Sequence, residues 1–244
     1  MWAALRFLTC IPLPAGLGSN HEAFAASLPW FPVVGLFLGS ILVAADGLLS
    51  QVFSPLVASA LVVVLLLALT GALHADGLMD TADAVFVHAT PERRLEIMRD
   101  PRVGSFGVVA LASVLLLKLV AVDALPPVAR GAALLLAPTV GRWAIVLVAT
   151  VFPYGRPSGL GAPLKMAASW RTLVLATLLT IAVALVGGWS GIVLVLLSGA
   201  WAWALGRWLL GKLPGLTGDC YGAICEVLET TVLLLTPPVA SALR

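Results

Sequence analysis

The sequence predicts an all-α fold: a polytopic helical bundle embedded in a membrane. Three observations predict it. Apolar residue types make up 61% of the 244 residues, and Asp, Glu, Lys and Arg together only 11%. The mean hydropathy is +1.07. Apolar runs of about 20 residues, the length that crosses the hydrocarbon of a bilayer, recur along the chain. A soluble domain of this size is about one quarter charged, so too little polar surface remains to face water on all sides.

The same figures exclude several functions. A net charge of +2, with the 14 basic residues scattered or mixed with acids, gives no stripe for nucleic acid. Cys10, Cys220 and Cys225 form neither a disulfide framework nor a zinc pattern, and read as small apolar residues.

The opening MWAALRFLTCIPLPAG lacks a clean cleavage motif and is interrupted by Pro12 and Pro14. It reads as a retained, amphipathic or re-entrant lead-in rather than a signal peptide. Spans are expected at 31–49, 56–73, 106–122, 131–152, 172–186, 192–210 and 223–239, about seven in all. The Gly/Pro-rich stretch 153–171 has room for a short interfacial helix. No repeat or linker divides residues 1–244, which form one integral membrane domain surrounded by lipid.

Basic residues orient the bundle. The N-terminus and the even-numbered connections carry Arg6, Arg93, Arg94, Arg99, Arg102, Arg156, Lys165, Arg171, Arg207 and Lys212, 10 of the 14. The opposite side has Arg130 and Arg244, while Lys118 and Arg142 fall within spans. The positive-inside rule then places the N-terminus and segments 74–107, 153–171 and 211–222 in the cytoplasm. In this topology Lys118 lies toward the outer side, far from the other polar groups.

Charges are rare here, so their clustering carries information. Residues 74–102 hold 10 of the 26 charges. In HADGLMDTAD, Asp76, Asp80 and Asp83 stand at i, i+4 and i+7, one face of a helix. Three adjacent carboxylates repel one another unless a cation neutralises them, and an all-oxygen set suits Mg²⁺, or Mn²⁺, rather than zinc. A solvated acidic helix end is the simpler alternative, but the cluster adjoins the apolar run LVVVLLLALTGAL, where polar groups are costly and mark function. His74 lies on a different face and reads as a residue that supports the ligands from behind or contacts substrate, rather than as a ligand.

A helix from about Pro91 to Pro101 follows. Arg99 and Arg102 suit phosphate oxygens, Asp100 can complete a metal site, and Gly104 and Gly107 permit close approach of backbone to a ligand. Glu92, Arg93 and Glu96 fit ordinary surface pairing equally well. In GKLPGLTGDCYG, Gly215 and Gly218 could leave backbone N–H groups open to a phosphate with Lys212 beside them, and Asp219 stands at the threshold of the last span. Glu226 lies deep enough in that span to need a cationic or hydroxyl partner.

Taken together, HADGLMDTADAVF, ERRLEIMRDPRVGSFG and LTGDCYGAICEVLE resemble the cobalamin 5'-phosphate synthase (adenosylcobinamide-GDP ribazoletransferase) family over essentially the whole chain. The family's motif positions fall on His74, Asp76, Gly77, Asp80 and Asp83; on Arg99, Asp100, Arg102, Gly104 and Gly107; and on Thr217, Gly218, Asp219, Gly222 and Glu229. Cys10, Met79 and Ala84 depart from the usual residues without removing a charged position.

The resemblance implies a Mg²⁺-dependent enzyme of the cytoplasmic membrane. It would transfer adenosylcobinamide phosphate from a nucleotide-activated corrinoid, adenosylcobinamide-GDP, to the 5'-hydroxyl of alpha-ribazole or its 5'-phosphate, releasing GMP. On this reading Asp76, Asp80, Asp83, Asp100 and Asp219 are the candidate metal ligands. Arg99, Arg102 and Lys212 neutralise phosphate charge, Asp83 accepts the hydroxyl proton, and His74, Gly104, Thr217 and Gly218 contact substrate. A homodimer enters only by analogy with other membrane alcohol phosphotransferases. A CDP-alcohol phosphotransferase is the nearest alternative, but its Ala-Arg and downstream double-aspartate signature are missing. A transporter would need charged, broken segments in matching halves, whereas these islands collect at one face.

Overall fold

The computed structural model describes residues 1–14, 16–18, 21–159 and 161–242; Arg244 lies outside the described residues. The described residues are helical almost throughout, with one isolated parallel bridge, between Tyr154 and Leu216. In chain order the helices are α1 (Trp2–Leu8), α2 (His21–Ala25), α3 (Phe31–Leu49), α4 (Pro55–Thr70), α5 (Leu73–Val85) and α6 (Pro91–Ile97). They continue as α7 (Ser105–Asp123), α8 (Pro127–Val151), α9 (Gly161–Ala167), α10 (Trp170–Ala184), α11 (Gly188–Leu210) and α12 (Gly218–Ala242).

Each expected span coincides with a helix. By length and apolar composition five helical stretches can cross a membrane, or six if the bent pair α4 and α5 is one broken span. The difference from seven has two physical causes. α10 and α11 run together as a 41-residue stretch joined by a 3₁₀ turn at Leu185–Gly187. α4 is only 16 residues long, about 24 Å at 1.5 Å per residue, and falls short of the hydrocarbon thickness alone. Gly71 and Ala72, at φ 58° and 55°, then turn the chain by 89° into α5.

Proline and small polar residues set many of the ends. Pro55, Pro91 and Pro127 open α4, α6 and α8, where a missing N–H costs nothing. Thr90 accepts from the Arg93 N–H at 3.3 Å and Ser169 from the Thr172 N–H at 3.2 Å, capping α6 and α10.

α8 is the central post, buried without a break from Leu136 to Val146. α3 and α12 flank it. Gly35 and Gly39 let α3 approach α8 backbone to backbone, since a Cβ at either would strike Pro138, Thr139 or Leu135.

Two polar clusters tie the helices together. At one end, the Arg130 Nε and Nη2 donate to Asp46 at 2.8 and 2.7 Å, and Nη2 also to Ser59 at 3.0 Å. In the interior Lys118 is not isolated, contrary to the expectation above. Its ammonium donates at 2.5 Å to Glu226 and at 2.5 Å to Glu229, and Glu229 also accepts from Arg142. All four side chains are at least 95% buried. Two cations and two anions cancel, which is the condition for holding charges in an apolar interior. The partner that Glu226 required is therefore Lys118, on α7.

Candidate active site

The three polar segments converge at the opposite end of the bundle from the Arg130 cluster. Arg94 of α6 donates to the Lys212 carbonyl at 3.3 Å, joining the first to the third. The Gly155 N–H donates to the Leu216 carbonyl at 2.8 Å and the Leu216 N–H to Pro153 at 2.9 Å, joining the second to the third. Lys165 donates to the carbonyls of Ala149 and Phe152, both at 2.8 Å, closing the C-terminal end of α8. Burial lowers that ammonium's pKa below the usual lysine range.

α5 carries the carboxylates. Its buried face is Leu78, Ala82 and Val85, and the helical period places Asp76, Asp80 and Asp83 on the opposite side. Gly77 brings α5 against the first turn of α12, where an added Cβ would lie 2.8 Å from the Asp219 carbonyl oxygen. Asp76, Asp83 and Asp219 all stand close enough to act electrostatically on Asp80. Between the two helices lies a cavity of about 120 Å³ lined by His74, Asp76, Gly218, Asp219 and Tyr221, among others. A larger cleft of about 440 Å³, lined by Phe86, Trp201 and Trp208, is apolar and has no titratable side chain.

The aspartates divide by what they already hold. Asp83 accepts from the Gly104 and Gly107 N–H groups, both at 2.8 Å, and so caps the first turn of α7. The close approach expected of Gly104 is thus to Asp83, where any Cβ at that position would collide with the carboxylate. Asp100 accepts from the Arg102 backbone N–H, Nε and Nη2. Those bonds hold its carboxyl at about 2. Asp219 pairs with Arg156 at 3.0 Å and accepts from Thr217 at 3.2 Å. Asp76 and Asp80 have no hydrogen-bond or ion-pair partner among the described residues.

The other expected residues separate similarly. His74 is buried, its Nδ1 3.4 Å from the Cys225 Sγ, and its Nε2 has no partner among the described residues although His74 lines the cavity. Gly218 lines the cavity, whereas the Thr217 hydroxyl accepts from the Cys220 N–H at 3.3 Å as a cap of α12. Arg99 and Arg102 are exposed, and Lys212 lies 5.3 Å above the Trp208 ring. No ion pair joins these three cations to Asp76, Asp80 or Asp219 among the described residues. Arg156 takes that place instead. Sequence reading counted it only for topology, although an arginine between Gly155 and Pro157, in a segment facing the other polar islands, was a usable signal.

Among the described residues, no three His, Cys, Asp or Glu side chains converge as a finished metal cage. Mg²⁺ does not require one, since it binds through one or two carboxylates, keeps several waters and takes its remaining ligands from phosphates. Two unpartnered carboxylates, with a third across a helix crossing, fit that ion chemically.

A family model described as cobalamin-5-phosphate synthase matches residues 1–236. An adenosylcobinamide-GDP ribazoletransferase of Desulforamulus reducens is 42% identical over 234 residues, covering 95% of this chain and 93% of that one. One from Synechococcus elongatus is 42% identical over 241 residues, covering 94% and 92%. One from Pseudomonas putida (strain W619) is 42% identical over 240 residues, covering 96% of each chain. No solved structure matches.

Proposed function

Because the chain belongs to the cobalamin-5-phosphate synthase family and is a membrane-embedded phosphotransferase of cobalamin biosynthesis, we propose that it joins adenosylcobinamide-GDP to alpha-ribazole or its 5'-phosphate. The ribose 5'-oxygen forms a bond to the phosphorus attached to cobinamide. The bridging P–O bond breaks, GMP leaves with the electron pair, and the hydroxyl proton passes to a carboxylate.

The observation that carries this reading is the pair of unpartnered carboxylates, Asp76 and Asp80, facing Asp219 across the contact of α5 and α12. These three would hold Mg²⁺, which when bound neutralises diphosphate charge and stabilises the leaving group. Asp80, standing among these carboxylates without a donor of its own, would have one oxygen free of the metal to accept the hydroxyl proton. Asp83 instead becomes a positioning residue, because both of its oxygens serve α7. His74 offers Nε2 to the substrate from the cavity wall.

The seven-helix count, a cytoplasmic N-terminus and an active site on the cytoplasmic side of the inner membrane belong to this proposal. Basic residues concentrated at the end that holds the site support them. Single-turnover GMP release tests the reaction. Nanodisc-embedded protein given adenosylcobinamide-GDP, alpha-ribazole and Mg²⁺ should release GMP and form corrinoid product, and EDTA should stop both. GMP release that persists in EDTA, or no product in Mg²⁺, would defeat the reading.

A further inference from the structure

Among the described residues, Arg156 is the side chain with two buried polar atoms left without a partner. Its Nη1 lies 3.0 Å from Asp219, and its side chain is only 11% exposed. Nε and Nη2 are both shut off from solvent and have no partner among the described residues.

Those two atoms form one edge of the planar guanidinium, the edge that donates two parallel bonds to an oxyanion. The molecule shows what that edge does elsewhere. Arg102 uses Nε and Nη2 on the two oxygens of Asp100, at 2.9 and 2.6 Å. Arg130 uses the same pair on Asp46, at 2.8 and 2.7 Å. In Arg156 that edge meets no acceptor among the described residues.

A purely structural ion pair explains Nη1 and leaves the other two atoms unexplained. Buried donors without acceptors are costly, so native structures seldom keep them without a use. The backbone around the residue is also pinned, with Gly155 and Pro153 both bonded to Leu216. Arg156 acts electrostatically on Asp80 as well as on Asp219, which places it among the carboxylates.

The geometry points to Arg156 as the group that grips the diphosphate of the nucleotide-activated substrate, two phosphate oxygens taking the Nε and Nη2 donors. This inference rests on the reaction proposed above. Because both atoms are out of reach of water, the ligand gains them as the Arg156 side chain turns about its own torsions, while Gly155 and Pro153 stay bonded to Leu216.

Inorganic pyrophosphate is the probe, titrated by calorimetry into nanodisc-embedded protein in EDTA at low ionic strength, so that metal binding does not contribute. The wild type should bind saturably. Arg156→Gln should weaken binding at least tenfold, and Arg156→Lys, which keeps a charge but loses the planar fork, should fall between. Arg93→Gln, at an exposed surface pair, should match the wild type. Asp219→Asn should bind as tightly or more tightly, because it removes a repelling charge and frees Nη1.

Equal weakening by Arg156→Gln and Asp219→Asn would reduce Arg156 to a structural counter-ion and overturn the inference. So would no binding by the wild type, or equal binding by wild type and Arg156→Gln. Arg156→Lys keeps the test decisive if the glutamine variant fails to fold. Loss of the proposed reaction would show separately, as absence of GMP release from a protein that still binds pyrophosphate through Arg156.

Discussion

Two ionic clusters of this protein share α12 and behave oppositely. Within the bundle, Lys118, Arg142, Glu226 and Glu229 are all buried, and every charge faces an opposite one. At the end of the bundle, Asp76 and Asp80 face Asp219, and among the described residues Arg156 is the one ion-paired cation near them. In the first cluster the charges cancel within the chain, although the Arg142 Nε has no partner among the described residues. The second has negative charge in excess and donors unspent. Self-neutralised charge holds helices in register, whereas unbalanced charge at a crossing of two helices waits for something that the chain does not itself contain.

The sharpest way to break this comparison is to neutralise one member of each cluster. Asp80→Asn should remove an acid from a repelling set, so thermal unfolding in detergent should occur at the same temperature or higher. Turnover should fall by about a thousandfold, the several kcal/mol that charge stabilisation by a metal contributes. Lys118→Met should do the reverse. It leaves Glu226 buried without a partner and should destabilise by about 3–5 kcal/mol, with activity lost only as the fold is lost. The pair Lys118→Met with Glu226→Leu keeps the Arg142–Glu229 ion pair and should recover most of that stability. If Asp80→Asn unfolds the protein while Lys118→Met abolishes turnover in a stable one, the assignment of the two clusters is reversed.

A gentler change tests whether helix approach, rather than charge, makes the site. Gly77→Ala would put a methyl group 2.8 Å from the Asp219 carbonyl oxygen and 3.0 Å from its Cα. The opposing atoms are backbone, so α12 must move. The cost of overpacking is about 1–3 kcal/mol. Mg²⁺ affinity and turnover should fall well beyond the loss in folded protein, because Asp219 moves away from Asp76 and Asp80. Measured side by side, Mg²⁺ titration and thermal unfolding separate these two losses. Unchanged Mg²⁺ affinity would remove Asp219 from the metal set.

The helices and the acidic face were legible in the sequence because both are local. Apolar run length locates a helix, and spacing of four and three places Asp76, Asp80 and Asp83 on one side of it. What could not be read is which face meets which neighbour. Lys118 lies 108 residues from Glu226, and Gly104 lies 21 from Asp83. Nothing in local spacing shows that Asp83 serves the first turn of α7 while Asp80, three positions earlier, is left unpaired. Arg156 was overlooked for the same reason, since its partner is in another polar segment.

Asp100 gives the finest test of the rule that an already satisfied carboxylate is not a ligand. The sequence offers it as a residue that could complete the metal site formed around Asp80. In the fold it binds Arg102 three times over, and Arg102 is largely exposed. With its carboxyl held at about 2, Asp100 stays ionised far below any working pH, so its titration cannot shape the pH dependence of turnover. Asp100→Asn should therefore leave the pH profile and the Mg²⁺ requirement as they are. Its unfolding temperature should stay close to that of the wild type, because a solvent-screened surface pair contributes little to stability. Asp80→Asn, assayed on the same day with the same donor, should lose nearly all turnover. A marked rise in the Mg²⁺ concentration needed by Asp100→Asn would mean that Arg102 releases this carboxylate when substrate arrives, and that pairing seen in the free protein does not identify the residues that stay out of the chemistry.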